Sequence, residues 1–525
     1  MRPKLDQHLD YFILAALAAL CYVLFFYQLG GVGLLGPDEP RYAAVARTMY
    51  ETGDYITPRL WGETWFEKPV LMYWLAAIGY ALFGVGEAGA RFPSALGATL
   101  SVFLIYWCGR RLFSRWAGFA AALILVSSLG FFALARAASM DMPLTAALTA
   151  ALVFFLLGHE ADEGSRRWYF YGFYAAIGFG VLAKGPIAIL LPALTLVLFL
   201  LWRGGRREWR GWHLEGVLVT ILVAAPWYIA VTWVNGWEFI QVFLLDHNLQ
   251  RFATDVYGHD RPFYFYVPVL LLMMFPWTFL LIPALRRRFA KNEQLILMWA
   301  LIPFVFFSLS GSKLPAYILP MAPPIALLCA RELGVETSRL FKLATFLQAL
   351  LVVAVGVTFG FFGEAINVDF ALAPVVLVTA ALVIAGALIA IGVWLPPPVL
   401  GAFNVVTIGI VVFAITNAFF PRAENLETMR PWTDKLDRFV SENQEVLLYK
   451  PDRWMEYGLQ FYRNNRTRTA LSEEQLAELT DPGGARLLCI AEDRLLDELS
   501  TSNAVEVEVV EAVGKQAAFW VWRLR

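Results

Sequence analysis

Two acidic residues set between prolines, in Gly36-Pro37-Asp38-Glu39-Pro40-Arg41-Tyr42, follow the first long apolar run of the chain. A carboxylate in such a place can act as a general base or stabilise positive charge developing on a sugar ring. Proline in a first turn marks a helix start, and Asp38 reads as its cap, with Arg41 and Tyr42 three and four residues on over the same face. Successive helical side chains diverge by about 100°, so Asp38 and Glu39 face different ways. Taken alone, the pair reads as a capped surface helix; the other polar residues on the same side argue for more. Trp65-Phe66-Glu67-Lys68-Pro69 sets a carboxylate beside an ammonium, and Arg136 and Asp141 flank a junction between apolar runs. Lys184-Gly185-Pro186 interrupts two further runs, Asp246-His247-Asn248-Leu249-Gln250-Arg251-Phe252 precedes His259, and Ser312-Lys313-Leu314-Pro315-Ala316-Tyr317 ends at a tyrosine. Lys68, Lys184, Arg251 and Lys313 thus face Asp38, Glu39, Glu67 and Asp141. Cations gathered at a membrane face suit a lipid-linked phosphate, whose charge is held while its tail stays in the bilayer. No Walker motif or Rossmann fingerprint occurs, so no nucleotide cofactor is expected.

The elements that position these residues are membrane helices. The chain is 59% apolar and 16% charged, with a mean hydropathy of +0.58, which assigns most of it to lipid. The net charge of −1 points to no nucleic-acid partner. Cys21, Cys108, Cys329 and Cys489 are scattered and suggest neither a disulfide framework nor a cysteine metal site. The apolar run Tyr11–Tyr27 reads as a retained anchor. Runs near 10–28, 88–109, 116–135, 141–158, 168–184, 186–203, 214–235, 262–285, 293–311, 314–330, 343–362, 371–394 and 399–420 make about thirteen spans, and Val70–Phe83 reads as an interfacial helix. With that count, Arg110, Arg111, Arg115, Arg166, Arg167, Arg203–Arg210, Arg286–Lys291 and Arg331–Lys342 share one side with Arg2 and Lys4. That side is cytoplasmic by the positive-inside rule. Residues 29–87, 236–261 and the tail from 422 then face outward. The sequence divides into a membrane domain, 1–421, and a polar tail, 422–525, long enough for a small α/β domain. The tail has a helical pattern near Trp432–Glu442 and strand-like runs at Val446–Tyr449, Leu487–Ile490 and Phe519–Val521, with an alternating Val505–Val509.

Asp38-Glu39-Pro40-Arg41-Tyr42, Gly53-Asp54-Tyr55-Ile56-Thr57-Pro58-Arg59-Leu60 and Phe66-Glu67-Lys68-Pro69 resemble the first outer loop of the lipid A aminoarabinose transferases. Lys184-Gly185-Pro186, His247–Phe252 and Lys313–Tyr317 match later motifs in the same order, so the resemblance covers essentially the whole chain. Those proteins are membrane glycosyltransferases of the GT-C class, related to protein O-mannosyltransferases. The resemblance implies a mainly α, polytopic GT-C fold with a small extracytoplasmic C-terminal domain in a bacterial inner membrane. It implies inverting transfer of a sugar from an undecaprenyl phosphate carrier to lipid A or a related envelope glycolipid. Asp38 takes the catalytic position, with Tyr317 in contact with it. By the same resemblance, Lys68 and Arg251 fall where the family holds the carrier phosphate, with Lys184 as a helper. Glu67 and His247 are the implied ligands of a divalent metal, zinc being expected, with His259 as the alternative histidine.

Two other readings remain at this point. A protein hydroxyl could be the acceptor; Asp38 would then be the base, whereas a lipid A phosphate is already an anion and needs none. A polyprenyl-lipid transporter would concentrate polar residues at mid-bilayer in broken helices with repeat symmetry. Here the charges gather at one face and no repeat is visible.

Overall fold

The computed structural model describes residues 2–203, 214–243, 261–286, 288–334, 339–362, 372–394, 403–410, 427–441, 444–480, 486–501, 504–513 and 515–523. Among these, six helices are long and apolar enough to cross a membrane: Gln7–Phe26, Glu87–Leu112, Asp141–Glu160, Glu215–Asn235, Lys291–Leu309 and Arg339–Thr358. Two bent pairs, Arg115–Val126 with Leu129–Ala135 (66°) and Tyr266–Met273 with Thr278–Arg286 (110°), raise the number to eight if each is one span. Shorter apolar helices cover Leu71–Phe83, Ile187–Trp202, Pro315–Ala330 and Thr379–Gly392. The run read at 399–420 lies mostly outside the described residues.

Between the first two long helices the chain builds a small structure of its own. Helix α1 (Arg2–Cys21) continues as a π-helical turn, Tyr22–Phe26, and a loop then leads into α2 (Asp38–Thr52). Pro37, rather than Asp38, holds the capping position and makes no side-chain cap bond, so Asp38 is the first helical residue. Gly53 closes α2 at φ 72°, a left-handed conformation that glycine adopts without steric cost. Strands β1 (Arg59–Leu60) and β2 (Glu63–Thr64) form a tight hairpin, followed by α3 (Leu71–Phe83). These elements enclose a separate apolar cluster, including Val45, Met49, Phe66, Tyr73 and Tyr80, which also takes in Trp227, Phe239 and Phe461.

One buried ion pair ties this unit to the membrane helices. Arg91, in α4 (Glu87–Leu112), is 4% exposed and Glu39 is 7% exposed. The Arg91 Nε and Nη2 donate to the two Glu39 carboxylate oxygens at 3.0 and 2.7 Å. Arg91 also donates to the carbonyls of Leu29, Val32 and Gly33 at 3.1, 2.7 and 2.7 Å. Glu39 accepts the Leu35 amide at 2.7 Å and the Ala138 amide at 2.6 Å. A charge taken out of water is tolerated only with such dense compensation. Arg91 and Arg110 are nineteen residues apart on α4, about 28 Å along its axis, so they mark opposite ends of a span. At the far end Arg110 and Arg115 pair with Asp10 at 2.6 and 2.7 Å.

The C-terminal segment carries a five-stranded sheet in the order β4-β3-β5-β7-β6. Its strands are β3 (Val446–Tyr449), β4 (Thr467–Ala470), β5 (Leu487–Glu492), β6 (Val505–Val513) and β7 (Gln516–Arg523). Strand β3 runs parallel to β4 and β5, while β7 is antiparallel to β5 and β6. All of β3 is buried because both faces are covered: Val446 and Leu448 pack toward Trp432 and Met455, Leu447 and Tyr449 toward Leu476 and Leu499. The segment grips the loop between α1 and α2. Tyr462 accepts the Leu34 amide at 2.8 Å and donates to Glu87 at 2.9 Å, and Arg430 donates to the Gly30 carbonyl at 3.0 Å. Gly33 is required at this crossing, since a Cβ there would stand 2.8 Å from the Arg430 Cβ.

Removing one partner of a buried pair leaves the other charge uncompensated. Arg91→Ala should therefore cost about 3–5 kcal/mol of stability, read as a lower midpoint of thermal unfolding in detergent. An unchanged midpoint would mean that the pair is not what joins the loop after α1 to α4.

Candidate active site

The first turn of α2 places three functional side chains together. The Asp38 carboxylate accepts from Arg41 Nη2 at 2.5 Å, the i, i+3 relation expected of a helix. Arg41 is buried, and its Nη1 lies 3.6 Å from Glu67, so one guanidinium bridges the carboxylates of two separate motifs. Its carbon stands 5.2, 5.4 and 6.0 Å from the ring centres of Tyr42, Trp65 and Tyr457, distances at which aromatic faces attract a cation. Burial works to lower the Arg41 pKa, but Tyr42, Asp38 and Glu67 outweigh it, so the guanidinium holds its proton above the usual arginine range. Burial and then the Asp38 charge push the Tyr42 phenol above its ordinary range, which keeps it a neutral hydroxyl.

A second group comes from three other elements. Helix α5 (Asp141–Glu160) begins at Asp141, whose second oxygen accepts from Ser139 Oγ at 3.0 Å. Lys184 ends α6 (Glu163–Lys184) and its ammonium pairs with the first Asp141 oxygen. Gly185, at φ 78°, and Pro186 stop that helix, so the lysine is presented at its end. Lys184 Nζ also lies 4.5 Å from the centre of the Tyr317 ring, which rests on Phe307 at 5.1 Å. The two groups are close enough that Tyr42 feels the charges of both Asp38 and Asp141.

The carboxylates differ in access. The Asp38 side chain is 56% exposed, against 17% for Glu67, 16% for Asp141 and 9% for Glu39. Asp38 is thus the acid that an incoming molecule can reach. Glu39, expected to line the cavity, turns away from it, because its carboxylate is consumed by Arg91 and two amides. Lys313 is also a brace: it is buried and donates to the Ser310 carbonyl at 2.6 Å. Lys68 is half-buried in the turn between β2 and α3, beside Glu67. Tyr317, expected against Asp38, has its described contacts with Lys184 and Phe307.

Arg251, His247 and His259 lie outside the described residues. Of the two expected metal ligands only Glu67 is described. Its carboxylate faces Arg41, and no group of three His, Cys, Asp or Glu able to hold an ion occurs among the described residues. Sequence reasoning missed Arg91, Ser139, Trp65 and Tyr457. Arg91 carried a signal, being an arginine within an apolar span, where a charge needs a buried partner.

Comparison with known proteins gives this arrangement a family. The dolichyl-phosphate-mannose-protein mannosyltransferase family profile matches residues 67–230. An undecaprenyl phosphate-alpha-4-amino-4-deoxy-L-arabinose arabinosyl transferase of Pseudomonas aeruginosa is 37% identical over 331 residues, 61% of this chain. The match spans 59% of that relative's length. A second such transferase, of Pseudomonas fluorescens, is 31% identical over 477 residues, covering 84% of this chain and 81% of the relative. The fold is that of ArnT from Cupriavidus metallidurans, solved bound to undecaprenyl phosphate, with a TM-score of 0.79 at 23% identity over 97% of both chains. The Archaeoglobus fulgidus oligosaccharyltransferase AglB is a more distant likeness, at a TM-score of 0.52 over 94% of this chain and 70% of its own. With the sequence match to the Pseudomonas fluorescens protein running over most of both chains, the protein belongs to the undecaprenyl phosphate-alpha-4-amino-4-deoxy-L-arabinose arabinosyl transferase family.

Proposed function

We propose that this protein is an inverting membrane glycosyltransferase that moves 4-amino-4-deoxy-L-arabinose from undecaprenyl phosphate to lipid A at the outer face of the bacterial inner membrane. The observation that carries the reading is the single exposed carboxylate, Asp38, in a cluster whose other acids are sheltered and paired with cations. The names of the relatives supply the sugar, the carrier and the family. In the reaction an acceptor phosphate oxygen attacks the anomeric carbon while the bond from that carbon to the carrier phosphate breaks on the opposite face. The acceptor is already anionic, so Asp38 works as a charge stabiliser facing the oxocarbenium-like centre, and Arg41 fixes its orientation. Lys68 and Arg251 hold the departing carrier phosphate. Lys184, steadied by Asp141 and Tyr317, keeps a positive charge at the same mouth. A divalent ion on Glu67 and His247 is part of the proposal, with no step assigned to it.

Asp38→Asn preserves shape and hydrogen bonding but removes the charge. Turnover in proteoliposomes should fall by about 100-fold or more, while undecaprenyl phosphate binding, measured in parallel, stays at the wild-type value. Near wild-type turnover would remove Asp38 from the chemistry.

The proposal includes thirteen spans, a cytoplasmic N-terminus, and an outer location for residues 29–87 and for the separate domain from 422. The separation of the Asp10–Arg110–Arg115 group from the Arg91 end of α4 supports it. All four native cysteines are buried, so a single exposed thiol can be followed against a low background. Arg468→Cys, on the open edge of β4, should be labelled in intact spheroplasts by an impermeant maleimide. Protection there, with labelling only after lysis, would reverse the orientation.

A further inference from the structure

The β1–β2 hairpin contains a backbone feature that its sequence does not favour. Leu60 pairs with Glu63, leaving Trp61-Gly62 as a two-residue turn with φ of 53° and 93°. Such turns require positive φ at both positions and favour Asn-Gly. A tryptophan in this region is strained, and strain of this kind persists where the surroundings impose it and is concentrated at functional sites. The Trp61 ring packs on Tyr457 of the helix Arg453–Tyr462, with centroids 5.1 Å apart at 43°. Tyr457 and Trp65 in turn flank Arg41, the partner of Asp38.

This aromatic wall carries hydrogen-bond donors that the protein does not use. Trp61 Nε1, Trp65 Nε1 and Arg41 Nε are all buried N–H groups with no protein acceptor, as is the hydroxyl of Tyr73 beside them. Buried donors are ordinarily satisfied, and three with no lone pair to offer each other call for an oxygen-rich partner. Flat aromatic rings with donors at their edges fit a saccharide: the ring faces meet its C–H groups and the N–H groups meet its hydroxyl or phosphate oxygens.

We propose that Trp61, Trp65, Tyr457 and the Nε of Arg41 form a saccharide subsite next to Asp38 that receives the phosphorylated sugar of the acceptor. This rests on the transferase reading, with Lys68 and Arg251 serving the donor's carrier phosphate on the other motifs. The strained hairpin holds the outer wall of the subsite, and the C-terminal helix supplies the facing ring through Tyr457.

The test separates fold from binding. Trp61→Asn restores a residue that the turn favours, so its unfolding midpoint should equal or exceed the wild-type value. Its KM for lipid A should rise about 10-fold, equivalent to roughly 1.4 kcal/mol, with the KM for the undecaprenyl-phosphate-linked sugar unchanged. Trp65→Phe keeps an aromatic face but loses the indole N–H together with the five-membered ring, and should raise the lipid A KM in the same direction. Binding of detergent-solubilised lipid A without donor is measured alongside on the full-length protein. Wild-type binding that weakens in Trp61→Asn supports the subsite even if no sugar is transferred, in which case the transferase reading alone falls. Unchanged lipid A binding in both variants, or an equal rise in the donor KM, overturns the subsite.

Discussion

The Glu39–Arg91 pair is the interaction on which the site depends. Placing two charges out of water costs several kcal/mol each, and here the cost is offset by a two-pronged contact and five further hydrogen bonds to backbone groups. Four of those backbone groups belong to the loop after α1 and the fifth, Ala138, to the turn before α5. The same carboxylate that holds the loop over Arg91 therefore holds the first turn of α2 against Ala138, three residues before Asp141. Asp38 and Asp141 come from motifs about a hundred residues apart, yet this network sets their helix starts side by side.

Around that fixed point the charges are divided by role. Arg41 and Lys184 each neutralise a carboxylate and lie against aromatic rings, which protects both cations from competing water. Of the three carboxylates Asp38, Glu67 and Asp141, Asp38 is the most exposed. The C-terminal sheet segment is part of the same construction, because Arg430, Tyr457 and Tyr462 reach the loop, Arg41 and Glu87.

Local signals made much of this legible in the sequence. Long apolar runs correspond to helices, and the Asp38, Lys184 and Pro315 punctuation falls at element boundaries. The strand-like runs of the tail lie in β3, β5, β6 and β7, where branched and aromatic residues cover two faces of a sheet. What escaped was what depends on long-range pairing. Glu39 looked like a cavity residue because nothing nearby in sequence reveals Arg91, 52 positions away. Lys313 looked like one of the cavity cations, but it is buried and its ammonium donates to a carbonyl three residues back. Strand β4 and the Arg453–Tyr462 helix were not distinguished from their surroundings, since Thr467–Ala470 is too short and polar to signal a strand. Tyr457 consequently had no visible connection with Arg41.

The most direct test of this account is the kcat of sugar transfer by Arg91→Lys, with carrier binding and unfolding measured on the same preparation. Lysine keeps the charge opposite Glu39 but cannot reproduce the planar fork or its three carbonyl contacts. If the network positions Asp38, folded protein with wild-type carrier affinity should lose kcat by about 100-fold, the scale of a misplacement near 1 Å. Folded Arg91→Lys protein with wild-type kcat would contradict the account, leaving the pair a role in stability alone.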